Sequence, residues 1–350
     1  MSIFKPIKSA IKRMPVFGEY LANYYTRQYD KENVEEFSNL LAHEAMLADK
    51  VRVDSYWKAF QKYIKPGDVV IDLGTGTGIL SFLASRSKPK KIYALDHSAA
   101  MLEQAKRLAA HNGIDCIEFI QCNSRSFDLN EKVDVIIHEQ LGANLFDENM
   151  VQNVGDLRDR LLKPGGRIIP AEFELFLEPC KIKDPHHVPF MWTMDLHGIR
   201  FDCMKALDVP YAPGVKRPFK HFRPIFPWEV EFLMAEPEPV MSVNLMTSNP
   251  KLISCHLNFR KTITREGRMD GLCLYFRMVF DDENAFDTSC NSTRTHWRNA
   301  LLRLESQVYR EGDVIDFDMS IGDITDIGTW VLKRLDQPAN TSVRLDDTSA

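Results

Sequence analysis

The sequence predicts an α/β protein in two parts, a parallel sheet with helices on both faces followed by an antiparallel β domain. Three observations predict it. Between residues 69 and 170 short apolar runs alternate with helical stretches, the pattern of a parallel sheet. A glycine-rich turn joins the first apolar run to the helix after it, where such sheets approach their ligands. After about residue 172 the helical stretches give way to successive strand-like runs.

Residues 36–64 read as helix, with Leu40, Leu41, Met46, Leu47, Val51 and Phe60 on its apolar faces. VVIDLG (69–74) is an apolar run ending in glycine and reads as a buried strand, and 78–86 as the helix that follows. KIYALD (91–96) is a second strand, 98–111 a second helix, IEFIQC (117–122) a third strand and VDVIIHE (133–139) a fourth. A helix over 146–162 leads to a turn at Pro164-Gly165-Gly166 and a strand at RIIP (167–170). The later strands are FELFLEP, SVNLMT, ISCHLNF, LCLYFRMVF and VIDFDMSI. Between the first two lies 184–238, rich in proline (Pro185, Pro189, Pro210, Pro213, Pro218, Pro224 and Pro227 among them) and with Trp192 and Trp228, which reads as an extended arm. These boundaries divide the chain into an N-terminal helical segment (1–35), an α/β domain (36–171), a β domain (172–335) and a polar tail (336–350).

Composition narrows the function. Hydrophobic residues are 44% and charged residues 27% of the 350, as in a soluble globular chain. The net charge of −5 argues against a nucleic-acid partner, because phosphate-binding chains carry a basic excess. The seven cysteines are irregularly spaced and form no C-x-x-C pair, so no metal site is expected and a cytoplasmic location is. No apolar run is long enough to span a membrane. Ile3, Phe4, Ile7, Ile11 and Met14 alternate with Lys5, Lys8, Lys12 and Arg13 at helical spacing. That segment reads as a helix packed on its own domain or lying on a membrane surface, and not as a signal peptide.

IDLGTGTGIL (71–80) sets Gly74, Gly76 and Gly78 between strand and helix. Such a turn can bind a dinucleotide, bind S-adenosylmethionine, or be a tight turn and nothing more. Three features discriminate. The spacing is G-x-G-x-G rather than the dinucleotide G-x-G-x-x-G. Asp72 stands two residues before the first glycine, where it is either part of the cofactor site or a helix-capping carboxylate. Asp96 ends the second strand, where a carboxylate can accept from ribose hydroxyls. With Glu139 ending the fourth strand and LLKPGGRII at 161–169, the succession resembles the class I S-adenosylmethionine-dependent methyltransferases.

HEQLGANLFDENM (138–150) sharpens the resemblance, because Glu139 and Glu148 stand nine residues apart on a loop containing Gly142. It is similar to the double-glutamate loop of the protein arginine methyltransferases, whose glutamates grip a guanidinium. HEAMLADKVRVDSY (43–56) and Thr295-His296-Trp297 resemble two further segments of that family. The resemblance runs from about 36 to 320. It implies a Rossmann-like class I methyltransferase domain, then an antiparallel β-barrel-like domain with a dimerisation arm, and a homodimer. It implies S-adenosyl-L-methionine as cofactor, held by His43, Arg52, Asp72, Gly74, Gly76, Asp96 and Ser124, with Arg52 on the methionine carboxylate. It implies Glu139, Glu148, His296 and Asp49 as catalytic residues, His296 paired with Asp49.

The chain departs from the family's pattern near the acceptor. Gln140 and Leu141 replace a tryptophan and a methionine, and Arg125 stands where an acidic adenine contact is usual. The paired upstream tyrosines have no clean counterpart; Phe37 and Asn33 fall near those places, with Tyr24, Tyr25 and Tyr29 further off. The expected acceptor is therefore an arginine guanidinium in a protein or in free arginine. The alternatives are a small-molecule N- or O-methyltransferase and a catalytically silent binding protein.

Overall fold

A computed structural model describes residues 40–205, 221–250 and 253–335. The N-terminal segment 1–35, Phe37, the middle of the arm and the polar tail lie outside the described residues.

Helix α1 (Leu40–Ala48) is followed at once by α2 (Lys50–Tyr63). The single helix expected over 36–64 is thus broken at Asp49. Asp49 leaves the helical conformation to cap α2, its Oδ1 accepting the Arg52 N–H at 3.0 Å. The buried residue of α1 is His43, while Leu40, Leu41 and Leu47 are exposed, so the expected apolar face is not a core face there. On α2 the buried positions are Arg52, Ser55, Tyr56, Ala59 and Phe60, a stripe at helical spacing.

Five parallel strands follow: β1 (Val69–Leu73), β2 (Lys91–Asp96), β3 (Ile117–Gln121), β4 (Val133–His138) and β5 (Leu162–Ile169). Helices α3 (Ile79–Ser85), α4 (Ala99–His111) and α5 (Met150–Leu161) connect them. The spatial order is β3-β2-β1-β4-β5, so the chain reverses direction across the sheet between β1 and β4. Ligands of such sheets bind outside the carboxyl ends of the strands at that reversal. All five residues of β1 are buried, as a central parallel strand requires. Two expectations are corrected. Residues 146–149 are loop, and α5 starts at Met150. Pro164-Gly165-Gly166 lies inside β5, where the register against β4 shifts between Val133 and Val135, rather than forming a turn ahead of the strand.

From Glu172 onward the sheets are antiparallel. Seven strands form one sheet around β13 (Gly267–Asp281), which pairs with β6 (Glu172–Ile182), β14 (Asn284–Asp287) and β15 (Asn299–Tyr309). Its other strands are β9 (Phe222–Ile225), β10 (Val230–Leu233) and β11 (Pro239–Asn244). A short hairpin, β7 (Asp195–Leu196) with β8 (Ile199–Arg200), stands apart. A three-stranded sheet combines β12 (His256–Thr262), β16 (Val314–Ile321) and β17 (Trp330–Arg334). An isolated antiparallel bridge between Ala235 and Ile263 joins the chain just after β10 to the chain just after β12. The excursion expected over 184–238 is narrower than its composition suggested, because β9 rejoins the sheet on β15 and β10 on β6.

One apolar core runs through both parts, from Phe60, Ile71 and Ile136 to Phe173, Phe276 and Phe317. Burying each such side chain contributes about 1.5–3 kcal/mol. Polar contacts fix the same junction. Tyr63 donates its hydroxyl to Asp281 Oδ2 at 2.7 Å, and Asn284 Nδ2 donates to the Ser55 carbonyl at 2.8 Å.

Candidate active site

A cleft of about 350 Å³ opens at the carboxyl ends of β1, β2 and β4. His43, Arg52, Gly74, Gly76, Asp96, Ser124, Glu139 and Glu148 all line it. These residues come from α1, α2, three strand ends and two loops, and the sheet reversal brings them together.

The glycine loop forms the floor. Gly76 has φ +52°, and a Cβ there would come within 2.9 Å of the His43 ring, so residue 76 admits no side chain without displacing His43. Asp96 braces the loop, its Oδ2 accepting the Gly76 N–H and its Oδ1 the Ser98 N–H, both at 2.8 Å. Asp72 differs from expectation. It is fully buried and lies beneath the loop, outside the lining of the cleft, where its Oδ2 accepts from Thr75 Oγ1 at 2.7 Å and Ser81 Oγ at 2.6 Å. Burial pushes its pKa up to about 6 despite those hydrogen bonds, and its Oδ1 has no partner. Asp72 therefore shapes the loop from below, a role closer to the capping carboxylate than to a ligand contact.

The acceptor side is built around Glu139. Tyr56 donates its hydroxyl to the carbonyl of His138, and Trp297 donates Nε1–H to the carbonyl of Leu141, each at 2.7 Å. One anchor comes from α2 and the other from the β domain, and together they clamp the backbone on both sides of Glu139. His138 itself is fully buried, with Nε2–H donating to the Pro170 carbonyl at 2.9 Å and a pKa lowered by burial to about 4. It is a neutral pin and no proton shuttle. Gly142 lies under Asp147, whose carboxyl would be 2.1 Å from a Cβ there, so a side chain at 142 would have to displace Asp147.

Arg52 is 3% exposed, and its guanidinium pairs with Glu139 Oε2 and donates to the Met46 carbonyl at 2.9 Å. Burial works against its charge, but Glu139 outweighs it and raises the pKa. The sequence assigned Arg52 to the cofactor alone; its cation faces Glu139 as well. Its Nε–H is buried and without an acceptor.

Asp49 and His296 stand behind Glu139 rather than in the cleft lining. Burial acts to raise the Asp49 pKa, but hydrogen bonds from His296 and from the Arg52 backbone overcome it and hold the carboxyl below its ordinary value. An ionised carboxylate only accepts, so the proton between the two groups sits on His296 Nδ1, 2.8 Å away. That leaves Nε2 turned toward Glu139, 4.0 Å from Oε1.

Asn153, which sequence reasoning missed, completes a polar chain along one wall. Arg125 donates to Asn153 Oδ1 at 3.2 and 2.9 Å, and Asn153 Nδ2 donates to Gln140 Oε1 at 3.0 Å. Gln140 Nε2 lies 3.9 Å from where a Cβ on Gly74 would be, so this side chain lies against the glycine loop. The helical register of α5, which buries Met150, Asn153, Val154 and Leu157 together, would have pointed to Asn153 had its boundaries been legible. Among the described residues no cluster could hold a metal ion, and no helix is long and apolar enough to cross a membrane.

Two family profiles match the chain, a methyltransferase domain over residues 64–191 and an arginine methyltransferase oligomerization subdomain over residues 174–324. Protein arginine N-methyltransferase 6 of Xenopus laevis is 29% identical over 313 residues, covering 85% of this chain and 87% of its own. A probable protein arginine N-methyltransferase 6.1 of Oryza sativa subsp. indica is 34% identical over 183 residues, 51% of this chain and 48% of its own. Among solved structures, the Trypanosoma brucei PRMT1 enzyme-prozyme heterotetrameric complex with AdoHcy contains a chain similar at a TM-score of 0.68 and 28% identity, covering 81% of this chain and 88% of that one. Protein arginine methyltransferase 10 of Arabidopsis thaliana shares the fold, with a TM-score of 0.64 at 23% identity over 82% of this chain and 89% of its own.

Proposed function

The chain belongs to the protein arginine methyltransferase family, and on that premise we propose that it methylates the guanidinium of protein-bound arginine. Its cofactor is S-adenosylmethionine, and the cleft fits that molecule. The buried Arg52 Nε–H lacks a protein acceptor and suits a ligand carboxylate. Each Asp96 oxygen accepts one backbone N–H and retains lone-pair capacity for ribose hydroxyls. His43, Arg52, Gly74, Gly76, Asp96 and Ser124 would hold the cofactor, with Asp72 supporting the loop. When bound, it supplies a methyl group on a positively charged sulfur, already a strong electrophile.

This chain's residues supply binding, alignment and a path for the proton. A guanidinium is protonated at neutral pH and a poor nucleophile. Glu139 and Glu148 would take its charge toward one side and leave electron density on the nitrogen to be methylated. Two carboxylates also match the planar fork of five donors, which aligns that nitrogen for attack. His296, with Nδ1–H held by Asp49, presents Nε2 toward Glu139 and is positioned to take the departing proton by way of that carboxylate.

The strongest support is that Glu139 and Glu148 line the same cleft as the glycine loop. Gln140, which the sequence suggested could bind the ends of free arginine, has its Oε1 occupied by Asn153 and lies against Gly74. That favours a protein-bound acceptor. We further place the enzyme in the cytoplasm, where the buried free thiols of Cys180 and Cys273 would stay reduced, and as a homodimer assembled through the arm. A competition between free arginine, lysine and an arginine-containing peptide for a labelled methyl group tests the reading. Labelling of the peptide is expected, and preferential labelling of lysine overturns it.

A further inference from the structure

Two arginines flank the loop that carries His296, and each lies over an aromatic ring. Arg294 Cζ is 4.2 Å from the centroid of the Trp228 ring, and Arg298 Cζ is 4.7 Å from that of Phe226. The rings are themselves stacked at 4.1 Å with 11° between their planes. Rings that close leave no space for a guanidinium between them, so each arginine covers an outer face. The order of the stack is Arg298, Phe226, Trp228, Arg294. Trp228 is 39% exposed, and both arginines are exposed.

Among the described residues neither guanidinium has a hydrogen-bonded or ion-paired partner. Arg303 shows the contrast: it also stacks, 4.1 Å over Phe190, but donates to the carbonyls of Val188 and Pro189. Stacking fixes the planes of Arg294 and Arg298 while their N–H edges remain available, an arrangement suited to carboxylates. The ledge is rigid on both sides. Trp297, between His296 and Arg298 in sequence, is anchored to the Leu141 carbonyl at 2.7 Å. The aromatic pair sits on the turn between β9 and β10, which is tied down by the Lys183 N–H donating to the Glu229 carbonyl at 2.9 Å.

The ledge brackets His296 in sequence. Each arginine is two residues from His296, so its Cα lies within about 7 Å of the His296 Cα. On a chain with net charge −5, a cationic ledge at that place runs against the overall sign and selects partners locally. We propose that Arg294 and Arg298 form a subsite for aspartate and glutamate side chains of the acceptor protein, so that arginines with acidic residues within about five positions are preferred, a span of about 17 Å in extended chain. This rests on the reading of the chain as a protein arginine methyltransferase. Single-stranded nucleic acid fits less well, because binding it uses open ring faces for stacking and both outer faces are covered.

The test uses peptides with one arginine flanked by glutamates, glutamines or lysines. With the wild type, KM for the glutamate-flanked peptide should be about tenfold below that for the glutamine-flanked one, and the difference should shrink as salt rises, as exposed charge contacts do. Arg294→Glu with Arg298→Glu should reverse the order toward lysine-flanked peptides, and the double Arg→Lys variant should keep much of the preference. Ratios within one protein cancel any loss of folded enzyme. A glutamate-rich peptide without arginine, followed by fluorescence polarisation, separates the two readings. If it binds wild type but not the charge-reversed pair while no peptide is methylated, the ledge stands and the enzymatic reading falls. Equal KM values for glutamate and glutamine flanks, a ratio unchanged by charge reversal, or failure of the acidic peptide to bind wild type overturns the ledge. Binding of a single-stranded oligonucleotide that depends on both arginines and excludes the acidic peptide also overturns it.

Discussion

Asp49 Oδ2 accepts two hydrogen bonds from His296, one from its backbone N–H and one from ring Nδ1, both at 2.8 Å and across 247 residues of sequence. The same carboxylate caps α2 through Oδ1, so one side chain fixes the start of a helix in the first domain and the orientation of a ring from the second. The two halves of the site are therefore assembled by a contact that neither half contains alone.

Asp49→Asn should lower kcat without abolishing cofactor binding. It keeps the cap but offers an amide in place of the acceptor that fixes the His296 tautomer. General-base contributions are about 10²–10⁴-fold, and a loss toward the lower end is expected. Because the folded Asp49 pKa is depressed, its stabilisation is present above the unfolded value near 3.9 and is lost as pH falls through the folded value. Urea titrations between about pH 5 and 3 should show a shallower acid loss in the variant.

Asp72 carries the opposite sign. Its folded pKa of about 6 lies above the unfolded value, so folding favours the proton and stability falls as pH rises from about 4 to 6. A folded value of about 6 corresponds to roughly 3 kcal/mol of such stabilisation. Asp72→Asn should remove most of that fall, read as the difference in unfolding free energy between about pH 4.5 and 7. An unchanged difference would show that the carboxyl is ionised throughout.

Glu139→Gln and Glu148→Gln should each reduce turnover by about 10²–10³, as loss of a preorganised charge does. They should differ in stability. Glu139→Gln leaves the buried Arg52 cation beside a neutral amide, and breaking a buried pair costs up to about 3–5 kcal/mol. Glu148→Gln should melt closer to wild type. Calorimetric melting with and without S-adenosylmethionine separates the two effects.

Replacing residues 195–220 with a short glycine-serine linker should yield a monomer with little activity. It leaves β9, which begins at Phe222, on its partner strand. Light scattering at the assay concentration reads the outcome, and a wild-type monomer at full activity would refute the proposed dimer.

Much of this architecture was legible in the chain because it rests on local patterns. β1 and β2 are continuous apolar runs ending at Gly74 and Asp96, and both ends proved to line the cleft. The motif at Glu139 and Glu148 was read from its resemblance to a family, and both residues line that cleft. Side-chain pairing across long sequence separations was not. Nothing local reveals that Arg52 would turn to Glu139, that Trp297 would hold the Leu141 carbonyl, or that Asn153 would join Arg125 to Gln140. Asp72 was misplaced for a related reason: its spacing marks the loop, but only the strand's orientation decides whether it faces the ligand or the core. The helix break at Asp49 was missed because apolar spacing continues through it, although Asp49 caps the second helix and a capping carboxylate is itself a local signal.

The most direct test of the central claim is localisation of the transferred methyl group. A peptide with one arginine and one lysine is incubated with the full chain and S-adenosylmethionine, and fragment mass spectra assign the modified side chain. Methylation on the arginine guanidinium is expected, and its loss with Glu148→Gln. Methyl on the lysine, or an unmodified peptide under conditions where calorimetry shows the cofactor bound and light scattering shows the dimer, would contradict it.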